Sequence, residues 1–156
     1  MKIRDTFLLA AIISVIGCTE EPNNVISSQK YNELLKETIF PIADSLLNKE
    51  QLKLRIKLND ILYTYMYIEE NCQKLSITKE YFEQQGIPPH YYDVLKYQMH
   101  ETNECIERWI AEDDILAPYL KQDSLYKQFE KAKEKYWNIE RPKLINKLIL
   151  LSGKNY

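Results

Sequence analysis

Few side chains in this chain are equipped for chemistry. There are two histidines, His90 and His100, and three cysteines, Cys18, Cys72 and Cys105. His100 and Glu104 stand one helical turn apart and could supply two ligands of a metal, but zinc sites take three or four protein ligands. Neither His-Glu-x-x-His nor the Glu-x-x-His of di-iron bundles occurs. The pair Glu69-Glu70 and the run Glu112-Asp113-Asp114 have no partner that would turn them to acid–base work; carboxylates so placed read as caps or solvated charge. Three glycines in 156 residues leave no Gly-rich phosphate loop, nucleophile elbow or dinucleotide fingerprint. The residues therefore indicate a protein that is not an enzyme, with no catalytic residue, metal or cofactor.

Cys72 and Cys105 pose a geometric question. On two long helices joined by a simple turn, their sulfurs would miss by well over the permitted Cα separation of about 7 Å. They meet only if the connector at 77–88 first descends, so that the second helix climbs beside the first. A disulfide and two separate buried thiols both stay open, and neither makes these cysteines catalytic.

The remaining cysteine lies in a different setting. Lys2 and Arg4 precede the apolar run Phe7 to Ile16 (FLLAAIISVI), the form of a secretory signal. The run is too short to cross a bilayer, which takes about 20 apolar residues. Val15-Ile16-Gly17-Cys18 then resembles the lipobox of bacterial lipoprotein signals. That resemblance covers residues 1–18 only. It implies that residues 1–17 are removed, that Cys18 carries diacylglycerol on sulfur and usually a further acyl chain such as palmitate on its amino group, and that the protein reaches the cell envelope. No Asp follows Cys18, so the resemblance favours an outer-membrane lipoprotein facing the periplasm or the cell surface. Residues 19–24 are polar and acidic and contain Pro22, so 18–27 reads as a flexible tether rather than a helix.

Beyond the tether, apolar residues recur with helical spacing. Ser27 or Ser28 can cap a first helix, interrupted by Pro41. Asn48 and Gln51 form a capping box. Leu54, Leu58, Ile61, Tyr65, Ile68, Cys72 and Leu75 are spaced 4-3-4-3-4-3, which predicts one long helix over 49–75. Thr78 caps a short helix over 79–85, ended by Gly86. A third long helix runs from Pro89 to about Ala111, with Tyr91, Leu95, Gln98, Thr102, Cys105 and Trp109 as its seam, flanked by Val94, Met99, Ile106 and Ile110. Asp113 or Asp114 opens a short piece around Ile115 to Leu120, with Pro118 near its start. Asp123 caps another helix, Pro142 breaks or kinks it, and Leu144 to Leu151 gives a final apolar stripe. The expected class is all-α: a bundle of four or five amphipathic helices forming a single domain over 28–152.

Composition narrows the role. Without residues 1–17 the chain holds 19 basic and 22 acidic residues, so it has little electrostatic reason to hold nucleic acid. The expected partners are a membrane, through the lipid on Cys18, and another protein. Twelve tyrosines supply contact area with a polar tip, and Tyr63, Tyr67, Tyr91, Tyr92 and Tyr97, set among acids, are the candidate contacts. The expected function is protein binding, as an immunity or inhibitor protein against a toxin. The alternatives are an accessory subunit of an envelope or secretion complex, and an enzyme whose site the sequence does not reveal.

Overall fold

The computed structural model describes residues 25–153. Residues 1–17 and Cys18 lie outside the described residues. The described chain is mostly helical, with one two-stranded antiparallel hairpin. In order it forms α1 (Ser28–Leu35), a 3₁₀ turn (Asp44–Leu46), α2 (Lys49–Tyr65), β1 (Met66–Glu69) and β2 (Cys72–Leu75). Then follow α3 (Lys79–Gln84), α4 (His90–Glu112), α5 (Ala117–Leu120), α6 (Gln122–Lys135), a π turn (Tyr136–Glu140) and α7 (Arg141–Leu151).

Local signals fix several starts and stops. The Ser27 hydroxyl accepts from the Lys30 N–H at 3.2 Å, satisfying one of the amides a helix start leaves free. Asn48 and Gln51 bond reciprocally at 2.9 and 3.1 Å, the capping box in full. Gly86, at φ 69°, follows α3. α1 ends well before Pro41, and Asp123 lies in the first turn of α6 with Lys121 at the cap.

The single helix expected over 49–75 is not formed. α2 ends at Tyr65, and the chain continues as a hairpin pairing Met66 with Leu75 and Glu69 with Cys72. Glu70 and Asn71 make the turn, at φ 52° and 62°. Two consecutive positive φ values are the signature of the turn whose twist matches paired strands, and Asn is among the residues that tolerate them. The 4-3 spacing misleads because a half-buried hairpin can also bury Cys72 and partly bury Ile68 and Leu75.

α4 differs by rotation. Its buried residues are Tyr91, Val94, Leu95, Met99, Asn103 and Ile106, so past Leu95 the inward face follows the expected flank of Met99 and Ile106 rather than the seam, and Trp109 is 48% exposed. Asn103 accounts for the setting. Its carboxamide accepts from the Gln73 N–H at 2.8 Å and donates to the Gln73 carbonyl at 2.9 Å, binding α4 to β2. Cys105, two residues on, lies about 200° around the helix from Asn103. It is a free thiol, so the Cys72–Cys105 disulfide considered from the sequence is not formed, although Cys72 itself is fully buried on the adjacent strand.

α1 packs on α4, α2 on α7, and α6 on β1. Leu52, Leu58, Phe82, Ile87 and Tyr136 are buried in the shared core. Burying a side chain of this size contributes roughly 1.5–3 kcal/mol each.

Candidate functional site

Pro142 decides how α7 is set. A proline inside a helix lacks the N–H and crowds the carbonyl four residues back. Here the chain widens ahead of it: the Arg141 N–H donates to the Tyr136 carbonyl, five residues back, and α7 begins with Pro142 in its first turn. The wide turn places Tyr136 and Arg141 against Asp60 of α2. Arg141 donates from Nε to Asp60 Oδ1 at 2.8 Å and from Nη2 to Oδ2 at 3.0 Å, and the Tyr136 hydroxyl donates to Oδ1 at 2.5 Å. Burial first, and then the bond to Asp60, holds the Tyr136 phenol far above its usual range. Both carboxylate oxygens are engaged, two bonds on Oδ1 and one on Oδ2. The cluster is a clamp between α2 and α7.

Beside the clamp an open groove of about 350 Å³ is lined by Lys53, Lys57, Asp60, Tyr65 and Tyr81, among others. The Tyr65 and Tyr81 hydroxyls meet at 3.1 Å, a contact that raises the Tyr81 pKa. A second open groove, of about 420 Å³, lies between the chain after α1 and α2, lined by Thr38, Ile39, Ile42, Glu50, Leu54 and Tyr91. Its one buried polar side chain, Thr38, is spent on the Leu35 carbonyl at 2.8 Å. Among the described residues no three His, Cys, Asp or Glu side chains gather to hold a metal, and His100 and Glu104 acquire no third ligand.

The five tyrosines singled out from the sequence are scattered. Tyr91 is buried and its hydroxyl accepts from the Ile39 N–H at 3.1 Å. Tyr63 stacks on Tyr136 with ring centroids 4.4 Å apart. Tyr92 meets the edge of Phe82, and Tyr97 stacks on Tyr31 at 4.3 Å. Tyr67, on β1, is the exposed member of the set.

Exposed apolar surface concentrates elsewhere, where α4, α5 and α6 follow one another. Trp109, Ile115, Leu116, Tyr119 and Tyr126 are all exposed there, Ile115 at 80% and Tyr119 at 65%. The backbone beneath them is well tied. Asp113 Oδ1 accepts from the N–H groups of both Ile115 and Leu116 at 2.8 Å. Ser124 Oγ donates to the Pro118 carbonyl at 3.0 Å, and Gln128 Nε2 to the Tyr119 carbonyl at 3.1 Å. The Glu70 N–H donates to Gln122 Oε1 at 3.1 Å, tying the hairpin turn to the start of α6. Sequence reasoning missed this corner because it put Trp109 in the core. The available signal was the stretch Asp113–Leu120 itself, where apolar residues sit in too short a helix to bury them all.

Charge distinguishes this corner. Residues 101–123 hold seven acidic side chains against two basic ones, Arg108 and Lys121. Large rigid side chains within a negative field suit recognition of a positively charged surface, because aromatics dominate interface energetics and complementary potentials steer encounter. Among the described residues no helix is long and apolar enough to cross a membrane. No protein-family model, no curated protein and no solved structure matches this chain.

Proposed function

We propose that this chain is an envelope lipoprotein, anchored through acyl chains on Cys18, whose body of four or five bundled helices binds another protein. The binding face is the α4–α5–α6 corner, and the partner presents a basic surface to it. One observation carries the reading: Trp109, Ile115, Leu116 and Tyr119 are held exposed on a well-bonded backbone within a strongly acidic stretch, with Tyr126 exposed just beyond it. Exposed aromatic and aliphatic side chains concentrated in one place mark interaction sites far more often than they occur by default. An immunity or inhibitor protein works this way, by occluding the cationic site of an incoming toxin.

A photo-crosslinking amino acid at Tyr119, in cells expressing the full chain, tests the binding face. One dominant adduct with a basic protein is expected, and it should vanish when Glu112 and Asp114 are both changed to Lys. Adducts with several envelope proteins would favour an accessory subunit instead, and no adduct from Tyr119 or Tyr126 would overturn the face. The anchor is tested separately by metabolic labelling with palmitate. Label is expected on the wild-type chain and not on Cys18→Ser.

A further inference from the structure

A second exposed apolar region differs from the first in charge and geometry. α7 contains Arg141, Lys143 and Lys147 and no acidic residue. At about 100° per residue, Lys143, Lys147 and Leu150 fall on one stripe and Leu151 flanks it. Leu150 is 78% exposed and Leu151 47%. The 3₁₀ turn extends this stripe sideways: the Lys147 ammonium donates to the Asp44 carbonyl, and Leu46, two residues on, is 76% exposed. The acids beside this face include Asp44, whose carboxylate already faces Arg55 Nε at 3.5 Å, and Glu140, which pairs with Lys135 at 2.9 Å.

We infer that this face rests on an anionic phospholipid surface. A helix with leucines and lysines along one outward stripe suits the bilayer interface, where apolar tips enter the acyl boundary and ammonium groups lie at the phosphates. Charge selects this occupant. Removing residues 1–17 leaves a net negative chain, and yet this helix carries only positive charge. That arrangement attracts a negative lipid surface and would repel the basic partner assigned to the acidic corner. The residues between Cys18 and α1 could span roughly 30 Å if extended, enough slack for a body anchored at Cys18 to lie down on this side. The inference stands without the anchor, because it concerns the surface of α7 alone.

The test is co-sedimentation of a chain beginning at Thr19, which contains every described residue, with two kinds of vesicle. One holds phosphatidylglycerol and phosphatidylcholine in equal parts, and the other phosphatidylcholine alone. Binding to the first is expected, weakened by salt and much weaker on the second. Changing Lys143 and Lys147 together to Glu should lower the affinity about tenfold or more. Leu150→Ser with Leu151→Ser should lower it by a similar factor with the charge unchanged. Trp109→Ser should leave it unaltered. Circular dichroism confirms that each variant keeps its helices; of the five positions changed, Lys143, Leu150, Leu151 and Trp109 are exposed and Lys147 is half-buried. Failure to bind anionic vesicles would overturn the inference, as would loss of binding in Trp109→Ser alone, which would transfer it to the corner. Neither result touches the palmitate or crosslinking experiments.

Discussion

The acidic corner of α4, α5 and α6 and the basic stripe of α7 both leave large apolar side chains in water, and they are held in place by different means. The corner is fastened by side-chain bonds to backbone groups: Asn103 to Gln73, Asp113 to the next turn, and Gln122 to Glu70. The stripe is held by the ionic cluster of Asp60 with Arg141 and Tyr136, by the Lys147 bond to the Asp44 carbonyl and by Leu144 in the core. The two surfaces can thus be loosened one at a time. Carboxylate–guanidinium contacts respond to salt, whereas the Asn103 carboxamide carries no net charge, so salt that weakens the stripe should leave α4 held to β2.

Substitutions can break this contrast in order of expected size. Asp60→Ala leaves an arginine and a buried phenol without their acceptor. It is expected to cost about 3 kcal/mol, discounted because Arg141 is partly exposed, with faster amide exchange in α7 than in α5 or α6. Denaturant titration and hydrogen exchange read both. Asn103→Ala strips two bonds from a buried backbone and should cost about 2 kcal/mol. Its exchange pattern should be the reverse, with β2 and the corner loosened and α7 unchanged. Equal loosening of both regions in either variant would mean that they are one cooperative unit.

Tyr136→Phe is milder, about 1.5 kcal/mol at neutral pH, and it sharpens the comparison through pH. Because the folded state keeps this phenol protonated beyond the ordinary value of 10.0, its contribution is whole below about pH 10. It is lost as pH rises from there, where only the unfolded chain releases the proton. The wild-type chain should therefore lose stability more steeply above pH 10 than the Phe variant does. Some slope will remain, because burial also raises Tyr63 and Tyr91. Smallest of all, Trp109→Ser and Leu150→Ser should each change stability by less than about 0.5 kcal/mol, since neither residue is needed for packing. A larger loss would show that the exposed face supports the fold.

The sequence speaks most clearly where one residue satisfies a nearby backbone group. Ser27, the Asn48–Gln51 pair and Gly86 mark their boundaries because those interactions are local. The apolar spacing of the core half of α2 is equally readable. The hairpin is not, because residues 66–75 satisfy helical spacing and pleated burial alike, and the choice rests on a two-residue turn at Glu70-Asn71 that lacks the usual glycine. The face of α4 was hidden for the opposite reason. A buried asparagine has no place in an apolar seam, and its bonds to Gln73, thirty positions away, leave no trace in local pattern. The same rotation moved Trp109 outward, so the corner escaped notice while tyrosines needed for packing were put forward in its place.

The wide turn at Tyr136–Glu140 acts as an angular setting for everything after it. A turn closed five residues back takes up one residue more than an ordinary helical turn, and each residue is worth about 100° of rotation. Shortening that segment by a single residue would leave α7 its composition and length while swinging Lys143 and Leu150 through more than a quarter circle. Insertions and deletions at this one joint, rather than substitutions along α7, are thus the economical route by which related chains could point this helix in a new direction.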